Sequence, residues 1–186
     1  MSGANGEDPR FRRDLSDEER EHVDAARRKA FTLYEGKTVP HRSCGIALAE
    51  TFGLATASYQ ALRKGGITGA GECGAIKAGE LVLGELLGDP DPTAAVTGDL
   101  RAAATWYRDA WRERVDLGEG GAGGSIVCND LTSTFEDFTG SARQRFCTNI
   151  AAEVAAVVAE ALVRLGVPVD ITPVAEGESP AGEVVG

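Results

Sequence analysis

Residues 66–84, GITGAGECGAIKAGELVLG, carry six glycines and one cysteine across a passage from loop to helix. Gly69, Gly71 and Gly74 match the dinucleotide-binding spacing G-x-G-x-x-G, so the fold turns on how this stretch is read. A dinucleotide site needs a buried strand just before the glycines and an acidic residue closing a second strand. The residues before it, ALRKGGIT, make no buried strand, and no G-x-x-x-x-G-K-[ST] phosphate loop occurs. No nucleotide cofactor is expected. Past the cysteine, Ala75, Ala78 and Gly79 form a small-residue face, while Ile76, Leu83 and Leu87 form an apolar one. That pattern suits a helix packed closely on its neighbours.

Helical signals continue in both directions. Ser16 and Glu19 make a capping box, opening a helix expected through Val23, Ala26, Ala30, Phe31 and Tyr34 and ending before Gly36. Ser43 is placed to cap a second helix, which sets Cys44, Leu48 and Thr51 along one side. A short third helix is expected in TASYQALRK. The fourth begins near Cys73 and ends at Gly88, because DPDP halts it. The fifth starts at Thr93 or Asp99 and runs to Val115, with Leu100, Ala104, Tyr107, Trp111 and Val115 as its stripe. After the flexible span LGEGGAGGS a short helix follows Cys128. Ser141 opens the last helix, where Cys147, Ile150, Val154, Val158 and Leu165 share a face and Gly166 and Pro168 end it. Period-two alternation is confined to VPVDITPV. The expected fold is all-α, a compact bundle of about six helices with a glycine-rich loop and flexible ends. Its predicted parts are a disordered lead (1–14), one four-cysteine domain (15–168) and an acidic tail (169–186).

The 186 residues carry a net charge of −10, which disfavours nucleic acid and anionic membrane surfaces as partners. MSGANGEDPRFRRDLSDEER has no apolar signal-peptide core. The longest apolar run, IAAEVAAVVAEALVRLG, is broken by Glu153, Glu160 and Arg164. A cytoplasmic location is expected, and in that compartment cysteines serve as metal ligands or working thiols more than as disulfides.

The four cysteines, at 44, 73, 128 and 147, contain no C-x-x-C pair. A zinc ribbon, a thioredoxin-type pair and a haem-attachment site are therefore absent. Cys44, Cys73 and Cys128 each fall at a predicted helix start, where free N–H groups and the helix dipole favour a thiolate. Thiolate is the form that attacks disulfides and binds soft metals. Cys147 lies about two turns into its helix on the apolar face, as a buried ligand would. His41, three residues before Cys44, is read as a solvated loop histidine, with thiol orientation or ligation as the other role. Glu72 would raise a nearby thiol's pKa. Glu50, Glu80 and Glu85 are expected on exposed helix surfaces. Trp106, Tyr107 and Trp111 suit a core or a homo-oligomer interface.

SCGIALAETFGL, GGITGAGECGAIKAGELVLGELLG, IVCNDL and FCTNIAAEVAAVVAEAL together resemble the C_GCAxxG_C_C family of redox-active proteins across residues 41–165. The resemblance implies that Cys44, Cys73, Cys128 and Cys147 act together. A related domain accompanies haem and an iron–sulfur centre in split-Soret cytochrome c. Haem does not carry over, because the chain has no attachment motif. Ala78 followed by Gly79 stands where the family has a glycine. The expected function is electron transfer through a [2Fe–2S] or [4Fe–4S] cluster on the four cysteines, with Gly71 and Gly74 giving it room and backbone donors. A redox protein or small-molecule donor or acceptor would be the partner. The alternatives are a metal-free thiol–disulfide oxidoreductase and a helical protein with a structural four-thiolate zinc site.

Overall fold

A computed structural model describes residues 8–167 and 169–174. Six α-helices account for the architecture: α1 (Asp17–Glu35), α2 (Cys44–Thr51), α3 (Gly74–Leu87), α4 (Gly98–Arg114), α5 (Cys128–Thr132) and α6 (Ser141–Arg164). Among the described residues no strand forms, and VPVDITPV is irregular where it is described. Its alternation does not produce a strand because no second strand is present to pair with it.

Local chemistry sets the boundaries. Ser16 accepts from the Glu19 N–H and Glu19 reaches back to Ser16, completing the capping box, and Gly36 closes α1 at φ 76°. Thr97 caps α4. Ser43 occupies the cap position of α2 without a side-chain hydrogen bond, and its hydroxyl is buried without a partner. Cys44 follows it at φ 39°, a left-handed conformation costly for a residue with a Cβ. That twist turns the first N–H groups off the Ser43 hydroxyl. TASYQALRK yields only a 3-10 helix, Ser58–Leu62.

α6 is the axis of the bundle, packed on α1, α2, α3 and α4. From Ala151 to Leu162 every residue except Glu153 is buried, so the helix is apolar on nearly all sides rather than along one stripe. By length and hydropathy it could cross a membrane, and 72% of its apolar window is buried inside the bundle. Glu160 is the buried charge on it, held by Arg114 at 2.5 Å and Arg164 at 2.6 Å. On α1, Leu33 is buried and Phe31 is 36% exposed, reversing the expected stripe at those positions. Gly79 explains part of the small face of α3. A Cβ there would collide with the Tyr107 hydroxyl, which donates to the Ile76 carbonyl at 2.8 Å and locks α3 to α4.

The expected loose ends are corrected where they are described. Pro9–Arg12 form a 3-10 turn capped by Asp8, and Phe11 is buried, stacked on Trp106 at 5.0 Å. Ile171 is likewise buried, with Val169 and Val174 against the same core. Single apolar residues without periodicity anchor these segments. Residues 1–7, Pro168 and 175–186 lie outside the described residues.

A candidate four-cysteine redox site

All four cysteines line one small cavity, together with Tyr34, Gly74, Leu131, Thr132, Phe146 and Ile150 among others. They arrive from four separate segments. Cys44 is the first residue of α2, Cys73 the cap residue of α3, Cys128 the first residue of α5, and Cys147 lies within α6. All four are free and partly buried.

The glycine-rich loop performs the assembly. The Cys73 N–H donates to the Ile126 carbonyl at 2.6 Å, the Cys128 N–H to Gly71 at 2.9 Å and the Asn129 N–H to Gly69 at 2.9 Å. These three bonds clip the segment after LGEGGAGGS onto the loop before α3, holding Cys73 and Cys128 together. The clip demands glycine. A Cβ on Gly65, at φ 55°, would strike the Cys128 Cβ, and one on Gly69, at φ 80°, would strike the Asn129 side chain. Gly74 lets α3 start against the Leu62 carbonyl and the Cys44 Cβ. Gly74 lies on the cavity wall. Gly71 is one step behind it, its N–H given to the Gly65 carbonyl at 3.0 Å and its carbonyl taken by Cys128, which it positions.

The helix starts do not produce free thiolates. Burial pushes the Cys73 thiol up to about 12, with the Cys44 and Cys147 charges adding, against the N–H groups of Ile76 and Ala75. Burial likewise takes Cys128 up to about 11, with Cys44 and Cys147 adding, against the charges of Arg143 and Lys64. Cys44 is also raised by burial, while the Lys64 N–H and the Tyr34 hydroxyl favour its charged form. Desolvation outweighs the dipole because these short or abutting helix starts face an apolar space.

Sequence reading missed Tyr34. Its ring is buried in the wall, and its hydroxyl is near enough to Cys44 and Cys147 to feel the charge of their thiols. Burial, then the charges of those two cysteines, raises its pKa far above the usual phenol range. It stays a neutral donor. In the sequence it is one more apolar position on α1, and nothing marks it otherwise. His41 is exposed and off the cavity wall. Its Nδ1 is bonded to the Tyr34 carbonyl, and its ring meets Tyr34 edge-on at 4.8 Å. Glu72 and Glu80 pair with Lys77, Glu50 pairs with Arg42, and Glu85 accepts from Tyr59. Among the described residues no three His, Cys, Asp or Glu side chains close on a single metal-ion position.

The helical bundle gathers four dispersed cysteines around one apolar cavity. The family model described as "Putative redox-active protein (C_GCAxxG_C_C)" matches residues 42–161, a span that contains all four cysteines. The chain belongs to this redox-active family. No curated protein and no solved structure matches it.

Proposed function

We propose that Cys44, Cys73, Cys128 and Cys147 hold an iron–sulfur cluster and that the protein transfers electrons through it. The observation that carries this reading is the meeting of all four thiols on one cavity wall. The donor set fits, since four sulfur ligands suit either a [2Fe–2S] or a [4Fe–4S] centre. When bound, such a cluster supplies one-electron oxidation and reduction.

The chain's own residues would do the rest. Leu131, Phe146 and Ile150 keep bulk water from the site. Tyr34 would place its neutral O–H beside Cys44 and Cys147, where a hydrogen bond to a ligating sulfur would raise a cluster's potential. At the start of α3 the N–H groups of Ile76 and Ala75 favour the charged form of Cys73.

The test is Cys73→Ser. Loss of one thiolate should remove most of the iron and the visible colour, and should lower thermal stability because ligand binding and folding are coupled. If Cys73 instead cycles through a disulfide, the variant folds normally with unchanged metal content and loses only thiol exchange. A colourless protein with stoichiometric zinc would favour the structural site.

A further inference from the structure

The rim of the cysteine cavity differs in charge from the rest of the molecule. Arg143 lies one helical turn before Cys147 on α6, and Lys64 precedes Gly65, which abuts Cys128. The Lys64 N–H favours the charged form of the Cys44 thiol. Most of the chain's other cations pair with carboxylates: Arg114 and Arg164 on Glu160, Arg27 on Glu153, Arg42 on Glu50. Lys64 and Arg143 instead bracket one aromatic ring, standing 4.8 Å and 4.5 Å from the centroid of Phe138. Asp137 accepts from the Thr139 N–H and hydroxyl, and its pKa is lowered by these bonds first and by the Arg143 charge last. Phe138 is 38% exposed, and Ile67 on the glycine loop is 60% exposed at φ 71°. Two cations whose charge reaches Cys128 thus stack on one exposed ring, in a chain whose net charge is −10.

We propose that the Lys64–Phe138–Arg143 rim is the face on which a redox partner protein bearing clustered carboxylates docks to exchange electrons with the four-cysteine centre. The inference rests on the electron-transfer reading above. Charge complementarity selects an acidic partner, because at contact distances the local cations outweigh a net charge spread over the whole surface. Exposed apolar residues at the centre of the patch suit a transient protein interface. The step is a one-electron exchange. A reduced acidic partner loses one electron and the oxidised centre gains one, with no bond made or broken.

The experiment uses the full chain, reconstituted with iron and sulfide, and two negatively charged probes. A reduced acidic plant-type [2Fe–2S] ferredoxin supplies one electron to the oxidised protein, and ferricyanide takes one from the reduced protein. Stopped-flow rates are read against ionic strength for the wild type, Lys64→Gln, Lys64→Gln with Arg143→Gln, and a control with Arg101→Gln and Arg108→Gln on α4. The control removes the same charge from an exposed surface off the cavity. The proposal expects wild-type rates with ferredoxin to fall as salt rises, the rim variants to be several-fold slower at low salt, and the control to match the wild type. Lys64→Gln keeps the test valid if loss of Arg143, whose Nε donates to the Phe138 carbonyl, disturbs the loop. Equal slowing by the control, or rates that rise with salt, overturns the proposal. A rim effect on ferricyanide alone overturns docking in favour of small-anion entry. If the reconstituted protein exchanges electrons with neither probe, the electron-transfer reading itself fails.

Discussion

Tyr34 and Gly74 define what single residues do at this site. Tyr34 sets one neutral O–H beside Cys44 and Cys147, so Tyr34→Phe should keep the fold and the iron content while shifting the midpoint potential to more negative values. Redox titration followed by absorbance reads that shift, and an unchanged potential would show that the hydroxyl does not act on the ligands. Gly74 has no room for a Cβ between the Leu62 carbonyl and Cys44, and Gly74→Ala should cost roughly 1–3 kcal/mol in urea unfolding. The buried thiols give the metal-free protein a pH dependence. Folded pKa values of about 12 for Cys73 and about 11 for Cys128 lie above their ordinary value of 9.0. The native state therefore keeps protons that the unfolded chain releases as pH rises past about 9, and stability falls with pH from there. Denaturant midpoints between pH 8 and 11 should decrease, and a flat profile would contradict the burial of these thiols.

At the scale of elements, legibility followed the range of the interaction. The capping box at Ser16, the Gly36 stop and the breaks at DPDP are local chemistry, so α1 and the end of α3 could be read directly. The four cysteines were legible as one set through the family resemblance, with Cys44, Cys73 and Cys128 also marked by their places at predicted helix starts. The clip between Gly69–Cys73 and Ile126–Asn129 was not legible, because it joins backbone groups more than fifty positions apart through no distinctive side chain. Ser43 misled for a related reason. A good capping residue cannot signal that its successor will be held at a positive φ by packing around a cavity. The element-scale prediction follows from the clip. Gly65→Ala should displace α5, raise the alkylation rate of Cys128 in the metal-free protein, and lower the melting temperature. Unchanged alkylation would mean that α5 is held by other contacts.

For the whole molecule, α6 unites core and site, since its C-terminal half is the buried axis and its N-terminal half carries Cys147 and the rim cation Arg143. The N-terminal segment belongs to that core as well. Phe11→Ala should destabilise by about 3 kcal/mol, because the ring is buried on Trp106. A loss below about 0.5 kcal/mol in chemical denaturation would make residues 8–14 the loose lead that their polarity suggests. The account as a whole depends on what the four thiols hold. The direct measurement is anaerobic purification followed by iron, zinc and acid-labile sulfide analysis with an absorption spectrum, before and after cluster reconstitution. The predicted result is a coloured protein with iron and sulfide in cluster stoichiometry, both lost in Cys73→Ser. A wild-type protein that stays colourless and free of iron after reconstitution would contradict it.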